Sequence, residues 1–179
     1  LKLQDHPATH AVATAWRCHS VASGVKRLCG HAVMPAWSDR KFVLKVVAEN
    51  PRALANVAAA LRNDREIVLE AVSRDGGALA YAEMGLRGDS DFVLEAVSRN
   101  GSALAYVATE LRSDRRIVLA AVSQDGFALQ FASEALQNDY SVVLAAVSEM
   151  GASMMFASER LRSDRKLVLT AVMQDAGAL

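Results

Sequence analysis

Cysteine and histidine are scarce in this 179-residue sequence, and all of them lie near its beginning. The two cysteines are Cys18 and Cys29, and neither residue type occurs after His31. Two cysteines cannot supply the disulfide framework of a small secreted domain. If one helix carried both, they would lie about 16 Å apart, too far for a disulfide bond. We therefore expect two free thiols, and no catalysis by histidine or cysteine in the rest of the chain.

Net charge is missing as well, because 20 Lys and Arg balance 20 Asp and Glu. No overall field attracts the chain to nucleic acid or to an anionic membrane. Charges recur every few positions, so no apolar run approaches the roughly 18 residues of a membrane-spanning helix. With 52% hydrophobic residues, the chain can still bury a continuous core. We expect a folded protein that is soluble or peripheral to a membrane.

Motifs of known enzymes are also absent: there is no glycine-rich phosphate loop, no nucleophile elbow and no HExxH helix. One set of residues could hold zinc: Cys18, His19, Cys29 and His31. Its spacing does not match the paired ligands of zinc sites, so incidental residues are the favoured interpretation. Zinc binding, and ligation of a pigment by the histidines, are the alternatives. We expect no enzyme activity and no cofactor.

Internal repetition is what the sequence has in abundance. Aspartates recur at an unbroken spacing of 25 residues: Asp39, Asp64, Asp89, Asp114, Asp139 and Asp164. Such a period is typical of a solenoid. After a basic N-terminal region over 1–38, the period predicts tandem helical repeats over 39–179. Their units are 39–63, 64–88, 89–113, 114–138, 139–163 and the partial unit 164–179.

Each unit predicts two short helices joined by a turn. In the second unit, apolar residues cluster on one helical face, and the apolar residues between 78 and 86 predict another helix. The first cluster is Ile67, Val68, Leu69, Ala71 and Val72. Each aspartate stands where it can cap the first helix. Glycines fall where a turn between the helices calls for positive φ: Gly76, Gly101, Gly126 and Gly151. The predicted fold is all-α, a right-handed-type α-solenoid with an N-terminal capping helix, stabilised by stacking.

The repeated unit has the pattern Asp-Arg-x-Ile-Val-Leu-x-Ala-Val-Ser-x-Asp-Gly-x-Ala-Leu-x-Tyr-Ala, over residues 64–82 and again from 114 to 132. In this pattern the chain resembles the short helical repeats known as domain of unknown function 4116, and the resemblance covers residues 38–179. The resemblance implies a scaffold of tandem repeats, an algal or protist source, and no catalytic residues. An accessory subunit of a photosynthetic or respiratory complex fits that distribution.

Arginines also recur, two positions before each of four repeated aspartates, and Gln137 takes the equivalent position before Asp139. These arginines are Arg62, Arg87, Arg112 and Arg162. Arginines near helix N-termini can bind phosphate. The neighbouring aspartates offer these arginines a partner of their own, however. We favour a solvated ladder of ion pairs over an anion site.

Departures from the repeat mark candidates for partner binding. Phe127 replaces small residues, Tyr140 replaces Arg or Ser, and Met155 replaces Ala. Residues 117–159 hold five acids and no Lys or Arg, a net charge of −5. Acidic charge around exposed apolar groups predicts a surface for a basic, partly apolar partner. Alternatively, Phe127 and Met155 fill a groove between units. The candidates are Phe127, Glu134, Tyr140, Glu149, Met150 and Met155.

The N-terminal region is basic and nearly free of acids, which is typical of a transit sequence as well as of a capping helix. Its candidate partner contacts are Trp16, Arg17, Lys26 and Arg27. We expect an organellar address, plastid rather than mitochondrion. The predicted function is a non-catalytic scaffold for other protein subunits, which can sit peripherally on a membrane complex. An RNA-binding helical repeat is the alternative, which the neutral pI disfavours.

Overall fold

The computed structural model describes residues 37–174, and within that range the chain is helical throughout, with no strand. A long helix opens each repeat, here called the first helix. The first helices are Arg40–Glu49, Arg65–Arg74, Ser90–Arg99, Arg115–Val122, Tyr140–Glu149 and Arg165–Gln174. No helix among the described residues is both long enough and apolar enough to span a membrane.

In units one to five, two shorter elements follow the first helix. The 3₁₀ helices are Pro51–Asn56, Gly76–Tyr81, Gly101–Tyr106, Gly126–Phe131 and Gly151–Phe156. After them come short helices of four or five residues: Ala59–Arg62, Met84–Arg87, Thr109–Ser113, Glu134–Gln137 and Glu159–Arg162. The sequence pattern predicts one continuous second helix in this place, which is wrong. The backbone is extended at Ala82 (φ −67°, ψ 152°), so the 3₁₀ helix ends there and a new helix begins after Glu83.

The first helices begin at the repeated aspartates because these side chains cap them. Asp64 Oδ1 accepts hydrogen bonds from the backbone N–H groups of Glu66 (3.0 Å) and Ile67 (3.3 Å). All six aspartates accept from backbone N–H groups at their helix start in this way. Free N–H groups at a helix start favour a nearby acceptor, so a six-fold recurrence of Asp sets six helix starts.

Two packed layers enclose the core. Each first helix packs on the next first helix along the chain, and each 3₁₀ helix packs on the next 3₁₀ helix. Between the layers, the 3₁₀ helices bury Leu54, Leu79, Leu104 and Leu129 completely. Ile67, Phe92 and Ile117 meet them from the first helices. The core is therefore continuous from one unit to the next, as in repeat proteins whose units cannot bury their own apolar face alone.

The glycines that open the 3₁₀ helices are required by close packing rather than by backbone conformation. Positive φ is predicted for them, and this is wrong for Gly76, Gly101 and Gly126, none of which has φ between +20° and +160°. A Cβ on Gly101 would lie 2.4 Å from the carbonyl oxygen of Ala121 in the next unit. A Cβ on Gly126 would lie 2.6 Å from that of Ala146. Glycine lets two units approach each other backbone to backbone.

One main-chain hydrogen bond recurs at four successive junctions, from the first unit to the fifth. The N–H of Glu83 donates to the carbonyl oxygen of Arg62 (3.3 Å), and Ala108 donates in the same way to Arg87 (3.1 Å). The same bond joins Ser133 to Arg112 and Ser158 to Gln137. The register between neighbouring units is thus held by groups that every residue except proline carries.

Candidate functional site

An ion-pair ladder links the units along the starts of the first helices. Arg40 donates to Asp64 of the next unit (2.7 Å), and Arg65 donates to Asp89 (2.9 Å). Arg115 stands 3.5 Å from Asp139. Where Ser90 takes the place of arginine, Asp114 pairs instead with Arg116 of its own helix (3.6 Å). These pairs are exposed and each contributes little to stability by itself.

These interactions lower the pKa of four capping carboxylates: Asp64, Asp89, Asp114 and Asp139. The hydrogen bond from Arg40 lowers the pKa of Asp64 below its ordinary value of 3.8. The backbone N–H of Phe92, followed by the charge of Arg65, does the same for Asp89. In return, Asp64 and Glu66 raise the pKa of Arg40. Capping and pairing thus favour the ionised form of these four aspartates. Among residues 37–174, no group of His, Cys, Asp or Glu is placed to hold a metal ion.

The arginines that were predicted to pair with these aspartates contact other groups instead. Arg112 donates to the carbonyl oxygens of Ala105 (2.7 Å) and Val107 (3.1 Å), at the end of the preceding 3₁₀ helix. Gln137, which replaces arginine in the fourth unit, donates to the corresponding carbonyls of Gln130 (3.3 Å) and Ala132 (3.2 Å). Arg62 faces Glu83 of the next unit at 3.4 Å. The ladder of ion pairs exists, but the assignment of Arg62 and Arg112 to it is wrong.

The residues predicted to bind a partner are divided between the two layers. Phe127 is half-buried, and its ring packs edge-to-face on Phe156 with centroids 5.8 Å apart. Of the two alternatives for Phe127, an exposed docking residue or a residue that fills a groove between units, this packing fits the second. Met155 is 65% exposed in the 3₁₀ layer, whereas Tyr140 is 39% exposed at the start of a first helix.

The remaining candidates are scattered. Glu134 begins a short helix and Glu149 ends a first helix, both exposed. Met150 is half-buried at the start of a 3₁₀ helix, where the equivalent Asp125 accepts a backbone hydrogen bond. Eight further candidates lie outside the described residues: Trp16, Arg17, Cys18, His19, Lys26, Arg27, Cys29 and His31. The structure thus places Phe127 and Met155 in 3₁₀ helices, Met150 at the start of one and Glu134 in a short helix, whereas Tyr140 and Glu149 lie on a first helix.

An open groove of about 330 Å³ crosses the 3₁₀ layer, and we call it the aromatic groove. Its walls include Tyr81, Tyr106 and Phe131, which occupy the same place in three successive units. Small residues line it between the rings: Gly77, Ala80, Ser102 and Ala105. Aromatic residues at a spacing of 25 were a visible signal for this groove, yet the helical pattern alone assigns them to the apolar face of a helix.

Tyr106 also borders a second open depression of about 380 Å³. Its other lining residues include Met84, Arg87, Thr109 and Glu110 from the short helices. Tyr106 is 40% exposed and Met84 is 77% exposed. The ring of Tyr106 therefore stands between two hollows on one surface, accessible from both.

The fold defines an all-helical protein of tandem repeats, and comparison with family models gives its family. The model described as domain of unknown function DUF4116 matches residues 39–87, 89–137 and 139–179, and each match begins at a capping aspartate. The chain belongs to this family, which confirms the resemblance found in its sequence. No curated protein and no solved structure matches the chain.

Proposed function

We propose that this protein is a non-catalytic scaffold that binds other proteins through its layer of 3₁₀ and short helices. One observation carries the proposal: the aromatic groove lies in the layer that also exposes Met84, Tyr106 and Met155. Large apolar side chains that gather on one exposed surface are typical of a protein contact. The repeats need small or apolar residues for stacking, but stacking does not require these three side chains to reach solvent.

The proposal includes the finer architecture, a right-handed-type α-solenoid with a period of 25 residues and an N-terminal capping helix. Support comes from the starts of the first helices at Arg40, Arg65, Ser90, Arg115 and Tyr140. Stacked helical units create extended surfaces, which is the usual basis of binding by such proteins.

Charge favours a protein over a nucleic acid as the partner. Residues 117–159 hold no Lys or Arg, and Glu134, Glu149 and Glu159 are exposed within them. A phosphate backbone would be repelled there, whereas a basic protein segment would be attracted. Membership of a larger, organellar assembly, with the chain as an accessory subunit, stays part of this proposal.

Affinity capture from the native source, followed by mass spectrometry, tests the scaffold. The wild-type chain is expected to retain specific proteins that the double variant Tyr106→Ala/Met155→Ala loses. Met173→Ala is the matched control, because Met173 is 83% exposed but belongs to a first helix. Capture that is unchanged in the double variant would contradict the proposal. RNA retained in place of protein would support the alternative of an RNA-binding repeat.

A further inference from the structure

We propose that Asn100 is a site of spontaneous deamidation, and that the stacking of the units controls how fast its side-chain amide becomes a carboxylate. This inference goes beyond the proposed scaffold and does not depend on it. In the reaction, the backbone nitrogen of Gly101 attacks Asn100 Cγ and expels ammonia, which leaves a cyclic imide. Water then opens the imide at either of its carbonyls. The net change is asparagine plus water to ammonia plus aspartate or isoaspartate, and water is the only co-reactant.

The sequence concentrates this reaction at one residue. Asn100 is the only one of five asparagines that is followed by glycine. Glycine has no side chain, so its nitrogen can approach the amide of the preceding residue without hindrance. Asn56, Asn63 and Asn138 are followed by valine or aspartate, whose side chains hinder the same approach. Asparagine is among the thermolabile residues of proteins, and Asn100 has the least protection by its neighbour.

Packing between the units requires the glycine that makes this pair reactive. Gly101 opens the third 3₁₀ helix and is buried, and a Cβ there would lie 2.4 Å from the carbonyl oxygen of Ala121. In the second and fourth units aspartate precedes the equivalent glycine, and in the fifth unit methionine does. Only the third unit places a side-chain amide before a glycine that cannot be exchanged.

The folded backbone holds the reacting atoms apart. Asn100 has a ψ of 105°, which turns the Gly101 nitrogen away from the side of the Cα–C bond on which Cβ stands. Closure of the imide ring needs both atoms on the same side. The Asn100 amide oxygen also accepts hydrogen bonds from the Ser102 N–H (3.2 Å) and hydroxyl (2.8 Å), which fix the side chain as a cap. The reaction therefore requires this segment to leave its place, so its rate follows the fraction of locally open molecules.

The two products differ in what they do to the fold. Aspartate already occupies this place in sister units, where Asp75 and Asp125 accept the equivalent backbone hydrogen bond at 2.9 Å. The aspartate product should therefore refold, with a negative charge added beside Ser102 in the wall of the aromatic groove. Isoaspartate instead inserts its Cβ into the main chain directly before Gly101, where the neighbouring unit leaves no room for a displaced backbone.

Incubation of the full chain at mildly alkaline pH, followed by proteolysis and mass spectrometry of the peptides, tests this inference. We expect conversion at Asn100 and none at Asn50. Asn50 caps the first 3₁₀ helix in the same way but precedes Pro51, whose nitrogen carries no hydrogen and cannot form the imide. Conversion of Asn100 in the urea-unfolded chain should be about tenfold faster or more than in the folded chain, because unfolding removes the protection.

A destabilised variant links the rate to opening of the units. Leu129 is fully buried in the fourth 3₁₀ helix, which packs on the third. Leu129→Ala should therefore raise the rate at Asn100 about tenfold or more in native buffer. Met173→Ala is the control, since Met173 is 83% exposed, and it should leave the rate unchanged. Should Leu129→Ala fail to fold, low urea concentrations supply the same series with the wild-type chain.

Thermal melts test the two products separately. Asn100→Asp reproduces one of them and should melt close to the wild-type temperature, because Asn and Asp cap equally well. The isoaspartyl form, separated by chromatography, should melt clearly lower.

Three results would overturn the inference: equal rates at Asn100 in the folded and the unfolded chain, a rate that is unchanged when the units are destabilised, or conversion of Asn50 as fast as that of Asn100. An isoaspartyl form as stable as the wild type would overturn the assignment of the products. None of these measurements involves a partner, so the scaffold stands or fails separately.

Discussion

At Asp64, the two carboxylate oxygens have different tasks. Oδ1 accepts from the backbone of its own helix and, at 3.4 Å, from Arg40 Nη2, whereas Oδ2 accepts from Arg40 Nε, at 2.7 Å. The backbone contact fixes where a helix begins, and the contact with Arg40 links two units. Since the shorter bond from Arg40 uses Oδ2, a substitution that keeps the capping oxygen can separate the two contributions to stability.

Asp64→Asn and Asp64→Ala form the test. Asparagine keeps an oxygen that can cap the helix but loses the charge, so we expect a loss of only a few tenths of a kcal/mol in unfolding free energy. Alanine removes both contacts and should cost about 1 kcal/mol. Urea denaturation of the two variants measures the difference. Equal losses would mean that the ion pair, and not the cap, dominates.

Acid should destabilise the protein through the same residues. Hydrogen bonds from Arg40 to Asp64, from the backbone of Arg116 to Asp114, and from Ser141 to Asp139 lower these pKa values below 3.8. A lowered pKa in the folded state adds stability that is complete above the unfolded value and is lost as pH falls through the folded value.

We therefore expect the melting temperature to be level from neutral pH to about pH 5 and to fall below about pH 4. Thermal melts over that range measure it. Asp114→Asn should flatten the acid limb, because the substituted residue no longer takes up a proton. A melting temperature that rises on acidification below pH 4 would contradict the assignment.

Ser153 in the fifth unit carries a buried hydroxyl that lowers the stability of the fold. It is fully buried, and its hydroxyl has no hydrogen-bond partner within residues 37–174. The same place in earlier units holds Ala78, Ala103 and Ala128, all fully buried. Removing an unsatisfied buried hydroxyl should raise stability, so we expect Ser153→Ala to gain about 1 kcal/mol. Ala128→Ser is the reverse control and should lose a similar amount. Chemical denaturation measures both, and a loss in Ser153→Ala would mean that the hydroxyl is bonded in solution.

Among the elements, the first helices were the most predictable from the sequence. Their aspartate caps, their apolar face and, in the first three units, their end before Asn50, Asp75 or Asn100 are all local signals. The second half of each unit was less so, because Ala78, Leu79 and Ala82 lie at spacings of three and four, which a 3₁₀ helix and an α-helix share. The break at Ala82 follows from how the short helix must reach the preceding unit, and no local pattern encodes that.

Gly126→Ala tests the close approach of neighbouring elements. Its Cβ would lie 2.6 Å from the carbonyl oxygen of Ala146 and 2.9 Å from Met150 Cβ, so two units must move apart. Overpacking of this kind typically costs about 1–3 kcal/mol. The matched control is Gly85→Ala in a short helix, where a Cβ would meet nothing within 4 Å. That change should gain about 0.5–1 kcal/mol from helix propensity. Opposite signs in thermal melts are the expected result, and a stable Gly126→Ala would contradict the packing.

On the scale of the molecule, stability depends on the core shared by the units. Leu129 is fully buried between the layers, whereas Leu119 is half-buried at the edge. Leu129→Ala should therefore cost about 2–5 kcal/mol, and Leu119→Ala clearly less. Urea denaturation compares them, and hydrogen exchange shows how far the effect spreads. Protection should fall first in the fourth unit and its two neighbours, because contacts run between adjacent units. A Leu119→Ala loss equal to that of Leu129→Ala would contradict this division of the core.

The candidate site was predictable only in part, for a reason that also lies at this scale. Phe127 stands out in the sequence because it departs from its sister units, but its contact with Phe156 exists only once two units stack. The aromatic groove has the same origin, since Tyr81, Tyr106 and Phe131 share a wall only across three units. A single unit compared with its copies shows which residues differ. It does not show which residues meet.

The main-chain bond from Glu83 to Arg62 recurs at three later junctions, so four junctions share one contact that does not depend on the side chains. A unit duplicated or deleted as a whole would present the same donor and the same acceptor to its new neighbour. The length of the array can therefore change in evolution by whole units without redesign of the contacts between them. Exposed residues such as Tyr106 and Met155 take no part in this main-chain bond, so they can differ from copy to copy and one repeated unit can present different surfaces.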